Sequence, residues 1–173
     1  HRGTSLLETY FDDMSSRWKN VICVGSGNEG NRAGHTAENL TGVKEQLVEL
    51  TVASYEPALS IQIWKNYVDR FQIYLTAPDG TTVGPFYEQP PAQRYLTGRT
   101  ELLVYYGEPG PYSVDQEIFI EMIPLSGYID AGVWTIRLVS EKIVDGAWQM
   151  WLPGSAALGS DTRFLRPVEE TTL

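Results

Sequence analysis

From Gln46 onward the chain alternates apolar and polar residues at a period of two, and the pattern restarts after each turn signal. In QLVELTVAS, Val48, Leu50 and Val52 alternate with Glu49 and Thr51; in ALSIQIWKN, Ile61 and Ile63 flank Gln62; in RFQIYLTAP, Phe71, Ile73 and Leu75 alternate with Gln72 and Tyr74. Successive side chains of an extended chain point to opposite faces, so each segment carries one apolar row and one polar row. Glu56-Pro57, the stretch Asn66 to Asp69, and Ala77-Pro78-Asp79-Gly80 separate these segments with residues suited to tight turns. TELLVYY, EIFIEMI, GVWTIRLVS and GAWQMWL continue the series. About eight half-buried strands with no helical period between them predict a mainly β fold, an antiparallel sandwich of jelly-roll type. The region from about Lys44 to Leu152 should enclose one core containing Leu50, Ile61, Ile63, Phe71, Ile73, Leu75, Val104, Ile118, Ile120, Trp134, Ile136 and Leu138. No helix is expected between Glu49 and Leu75.

The first forty residues have a different texture. Leu6, Leu7, Tyr10, Phe11, Met14 and Trp18 recur at the three-to-four spacing of an amphipathic helix, with Thr4 or Ser5 as N-cap and Glu8 completing a capping box with Ser5. Val21 to Val24 reads as a short buried strand, and Cys23 within it as a small buried hydrophobe. With 173 residues there is room for one full core, not for two complete domains. The net charge of −9 is spread along the chain, which argues against a nucleic-acid surface. No apolar run approaches the roughly 20 residues of a membrane span. A single cysteine excludes an internal disulfide and a cysteine-rich zinc site; no metal and no cofactor are expected. The chain starts at His1 and not at Met, which suggests a segment excised from a longer protein, so the lack of a signal peptide carries no information about compartment.

The stretch VICVGSGNEGNRAGH, Val21 to His35, runs from an apolar strand into glycines, an asparagine and a glutamate. Such a strand fixes position, glycines permit close backbone approach, and an amide such as that of Asn28 can donate to a developing oxyanion. An asparagine in a glycine-rich turn also serves purely conformational ends.

VICVGSGNEG resembles the strand and loop bearing the oxyanion-hole asparagine in subtilisin-like serine proteases, and GTSLLETYFDDMSSRWKN resembles the helix and turn before that strand. The branch that includes the spore-germination proteases is closer still: there Gly-Asn-Glu-Gly is followed by a histidine, here His35, and then by an inserted jelly-roll domain, whose opening LSIQIWKNYVDRFQIYLTAPDG resembles. The resemblance implies a segment lying between the catalytic His and Ser. Residues 1–42 would be a helix-strand fragment of a subtilisin-like α/β core, 43–155 the jelly-roll insert, and 156–173 the return towards that core. No Asp-Ser-Gly or His-Gly-Thr block occurs, nor a Gly-Thr-Ser-Met/Ala nucleophile segment; Arg2 to Leu7 is superficially similar to the last but precedes the asparagine strand. The chain by itself is therefore expected to be inactive.

The resemblance further implies that Asn28 is the catalytic oxyanion donor and that Gly25, Ser26 and Gly27 line the substrate pocket, with Glu29 at its edge. Glu29 would favour a basic or polar substrate side chain, or is simply a solvated loop residue. His35 is expected to make a structural hydrogen bond. Partners implied are a peptide or protein substrate and the remainder of the protease core, with no nucleic acid and no membrane. The apolar helix and strand, cut from that core, are expected to fold back or to form a homodimer. The parent protein would be secreted or associated with the cell envelope or spore. Asn39-Leu40-Thr41 fits a glycosylation sequon, which means little outside a secretory context. Two other functional classes stay open: a carbohydrate-binding module using Trp64, Trp148 and Trp151, and a structural or interaction sandwich.

Overall fold

The computed structural model describes residues 6–18, 21–23, 32–89, 91–111, 113–154 and 158–168. It is a mainly β protein with one helix. Helix α1 spans Leu6–Trp18. The strands are β1 (His35–Asn39), β2 (Glu45–Val52), β3 (Leu59–Asn66), β4 (Arg70–Thr76), β5 (Thr82–Val83), β6 (Gln93–Thr97), β7 (Thr100–Tyr106), β8 (Asp115–Pro124), β9 (Gly132–Lys142), β10 (Ala147–Trp151) and β11 (Arg163–Phe164). One sheet has the order β1-β10-β3-β8-β7-β6 and the other β11-β2-β9-β4-β5. Among the described residues every strand pairing is antiparallel.

The period-two pattern does what it predicts. In β3 and β4 every second residue is buried, and register sets these rows opposite one another: Ile61 faces Ile120, Ile63 faces both Ile118 and Met150, and Ile73 faces Leu138. All twelve side chains expected in the core belong to one continuous buried cluster, and Trp134, Trp148 and Phe164 are among its largest members. Packing of the two inner rows, not intrinsic strand propensity, is what favours this register, since a slip of one residue would turn each row to water. No helix lies between Glu49 and Leu75.

The sandwich reaches beyond 43–155 at both ends. β1 pairs along its whole length with β10, and β11 pairs with β2. The return segment is also latched by Glu56, a buried carboxylate that accepts from the Gly159 amide at 2.7 Å and from the Thr162 hydroxyl. Thr162 in turn accepts from the Ala53 amide at 3.0 Å.

Two expectations about the N-terminal part need correcting. Val21 to Cys23 form no strand, and Val21 is 89% exposed; Val24 lies outside the described residues. Cys23 is exposed, not a buried hydrophobe. A lone apolar tetrapeptide becomes a strand only when a neighbouring strand satisfies its backbone, and no described strand pairs with it. Helix α1 forms as expected, helped by the Asp13–Arg17 pair one turn apart at 2.8 Å. Leu6, Leu7, Tyr10 and Phe11 nevertheless remain exposed, Leu6 and Leu7 at 63% and 60%.

A buried polar network ties β3, β4 and the β9–β10 turn together. The Asp69 carboxylate accepts from the amides of Val144, Asp145 and Gly146 at 2.6, 3.0 and 2.8 Å. Buried Lys65 donates from Nζ to the Asp69 carbonyl at 2.7 Å. Gly146 is required here: its φ is +82°, and a Cβ would stand 2.6 Å from both Asn39 Oδ1 and Thr41 Oγ1. Burial by itself would push the Asp69 carboxyl up, but the three amides and the Lys65 charge hold it below the usual carboxylate range. Asp130 behaves alike: burial opposes ionisation, and the Arg99 amide, the Thr100 hydroxyl and the Arg99 guanidinium outweigh it.

Both folded carboxyls therefore bind protons more weakly than in the unfolded chain, so acidification favours unfolding. Stability should be fully present at neutral pH and fall as pH drops below about 4, the ordinary aspartate range. Urea midpoints measured between neutrality and strong acid check this. Equal midpoints throughout would exclude a contribution from these two groups.

Candidate functional site

Gly25, Ser26, Gly27, Asn28 and Glu29 all lie in the stretch 24–31, outside the described residues. The structure does describe the residues that follow. The chain passes through Ala33, whose φ of 55° is left-handed, and enters β1 at His35. Here it is held from two sides. On one side β10 pairs with β1, and the Leu152 amide donates to the Gly34 carbonyl at 2.8 Å. On the other runs the return segment 163–168: the Phe164 amide donates to the Ala33 carbonyl at 2.9 Å, and the Val168 amide to the His35 carbonyl at 3.0 Å. The Thr36 hydroxyl donates to the Arg166 carbonyl at 2.8 Å.

His35 is at the centre of this junction. It is buried, and its ring stacks on Trp151 with centroids 3.7 Å apart and planes inclined by 16°. Nδ1 lies 3.3 Å from the Val168 carbonyl, which can only accept, so the bond places the proton on Nδ1. The structural hydrogen bond expected of His35 is present. A covered ring face and buried position leave this histidine no approach to a substrate.

Of the three tryptophans weighed for sugar stacking, one is buried and a second has one face covered. Trp148 is buried in the core and donates from Nε1 to Gln46 Oε1 at 2.8 Å. Trp151 has a ring face against His35, and Trp64 is half-buried. Stacking on a sugar needs open, neighbouring ring faces, so this arrangement weighs against the carbohydrate reading. Asn39 is engaged within its own turn: Oδ1 accepts from the Thr41 amide at 2.7 Å, and Nδ2 donates to the Asp145 carbonyl at 3.2 Å.

Among the described residues no group of three or more His, Cys, Asp or Glu side chains is disposed to hold a metal ion. No described helix is long and apolar enough to cross a membrane. Sequence reasoning missed the pairing of the return segment with residues 33–36, and the capping of the β9–β10 turn by Asp69. Neither has a local signal, since each joins segments far apart in the chain. The left-handed Ala33 beside Gly34 gave no cue either.

No family model matches the chain, and no curated protein matches it. Among solved structures it is similar to the CspB protease of Clostridium perfringens, with a TM-score of 0.85 and 30% sequence identity over 98% of this chain. It spans 35% of that protein's chain. The sequence is thus related over nearly its whole length to a segment of a protease. The broader assignment, to the subtilisin-like serine protease family as a segment between catalytic His and Ser, is corrected by these findings. What they support is likeness to one clostridial protease along this span, without a match to any family model.

Proposed function

We propose that this chain is an internal segment of a serine endopeptidase, contributing an oxyanion donor and a β-sandwich insert, and that it is inactive alone. The observation that supports this best is the likeness to a protease at 30% identity over 98% of the chain. That span takes in the Gly-Ser-Gly-Asn-Glu run as well as the sandwich. When a nucleophile attacks a peptide carbonyl, the oxygen gains negative charge, and the Asn28 amide N–H would donate to it. Gly25 to Gly27 would let the substrate backbone approach, and Glu29 would attract a basic side chain at the pocket edge.

The nucleophile and its base would come from the rest of the longer protein. Inactivity of the isolated chain follows from its inventory: of its two histidines, His1 precedes the helix and His35 is locked against Trp151. Peptide hydrolysis tests the proposal directly. The longer protein should cleave members of a fluorogenic peptide library and lose that activity to a serine-directed phosphonylating reagent, while the isolated chain cleaves none. Turnover by the isolated chain, or a longer protein inert towards both library and reagent, would refute it.

A further inference from the structure

We infer that the end of the sandwich carrying Tyr55 and Tyr128 is an interface with the rest of the longer protein; this rests on the reading of the chain as an internal segment. β2 and β8 finish at this end and β3 and β9 start there, since Val52 pairs with Gly132 and Leu59 with Met122. The connections 53–58 and 125–131 therefore lie side by side, and the Ile129 amide ties them by donating to the Glu56 carbonyl at 3.0 Å. The Tyr55 and Tyr128 rings meet edge to face across them, with centroids 5.3 Å apart and planes at 85°. Tyr55 is 76% exposed and Tyr128 48%, and Leu125 on the same loop as Tyr128 is exposed too.

Charged residues make up 20% of the chain, yet residues 53–58 and 124–129 hold one, Glu56. Its carboxylate is turned inward, accepting from the Gly159 amide and the Thr162 hydroxyl. An uncharged, tyrosine-bearing surface has the composition of an interface centre. Tyr55 is also held in the left-handed region, with a φ of 70°, a conformation that is unfavourable for a residue with a Cβ. The fold thus maintains strain at a ring that it leaves in water. The occupant follows from where the chain enters and leaves. His35 is at this same end, because it pairs with Trp151, the last residue of β10, which faces Gln62 near the start of β3. Val168 is bonded to His35. The span covers 35% of the similar protease, so most of that protein lies outside it. Chain adjoining the sandwich on either side therefore meets it at the end that bears the tyrosines. Its counterpart would be an apolar surface offering acceptors to two tyrosine hydroxyls. The opposite end also exposes Tyr67, Val114 and Val144, but beside exposed Lys44 and Glu108 and away from Ala33 and Val168.

Nitration of tyrosines with tetranitromethane, read residue by residue by mass spectrometry, tests the interface without reference to activity. Tyr55 and Tyr128 should react readily in the isolated chain and about tenfold more slowly in the longer protein. Tyr67, as exposed as Tyr128 at 48% but at the opposite end, should react at the same rate in both. The double variant Tyr55→Asn with Tyr128→Ser supplies a second readout. Asparagine tolerates the left-handed region and neither ring is buried, so the Tm of the isolated chain should stay within about 2 °C. That of the longer protein should fall by roughly 5 °C.

Equal nitration of Tyr55 and Tyr128 in the two proteins would overturn the interface. So would protection already present in the isolated chain and lost on dilution, which would assign the surface to a second copy of the chain. A longer protein that protects both tyrosines yet hydrolyses no peptide would retain the interface and refute the proposed function instead.

Discussion

Replacing Asn28 by alanine in the longer protein is expected to lower kcat by about 100- to 1,000-fold, or about 2.7–4 kcal/mol, with KM almost unchanged. The size follows from where the bond is made. A ground-state carbonyl oxygen carries little charge and sits off the donor direction, whereas the tetrahedral oxyanion is both charged and in line, so the amide contributes mainly to the transition state. Its loss should therefore reduce kcat and kcat/KM by the same factor. Asn28→Asp should be at least as harmful, because a carboxylate would face the developing negative charge. The folded state supplies the control: thermal midpoints of both variants should match that of the parent. Turnover unchanged in Asn28→Ala would remove Asn28 from the mechanism.

The second large effect belongs to the fold. Asp69→Ala should destabilise the protein by about 3–5 kcal/mol, the range for removing one partner from a buried charged network. Three donors, the amides of Val144, Asp145 and Gly146, would lose their acceptor, and buried Lys65 would lose one of the two carboxylates, the other being Glu88, whose charges favour its own. Asp69→Asn preserves shape but turns an N–H towards an amide donor, and should cost less, about 2–3 kcal/mol. For a chain of this length the alanine variant corresponds to a fall in Tm of roughly 10 °C. Urea denaturation of the isolated chain measures it. A loss under about 1 kcal/mol would mean that water replaces the carboxylate without penalty.

These two cases mark the limits of what the sequence discloses. Alternation in β3, β4, β8 and β9 disclosed the core, because a half-buried strand must segregate its side chains, and Ile61, Ile73, Ile120 and Trp134 are indeed buried. β1, β5, β6 and β11 escaped notice. They are short, and β6 presents Arg94 and Leu96 to solvent, so no apolar row marks them as strands. Asp69 reads locally as one more turn residue; its role exists only once Val144 to Gly146 arrive from the far side of the sandwich. Val21 to Val24 failed in the opposite sense. Its composition suits a buried strand, yet strand formation and the burial of Cys23 depend on neighbours that no described residue provides.

The residues next to the proposed site divide in a similar way. Glycines flanking Asn28 are a sequence-level cue to close backbone approach, but the junction at residues 33–36 is built with Trp151, Phe164 and Val168, more than a hundred residues later in the chain. His35 was legible as a structural histidine, but its partners were not, since Trp151 comes from β10 and Val168 from the return segment, both far along the chain.

A crystal structure of the longer protein with a peptide boronate on the nucleophilic serine proposed for it would test the central claim most directly. The boronate oxygen occupies the place of the tetrahedral oxyanion, and the Asn28 side-chain amide should lie about 2.7–3.1 Å from it, donating from Nδ2. An adduct in which the Asn28 amide turns away from that oxygen, with other groups as its only donors, would contradict the account.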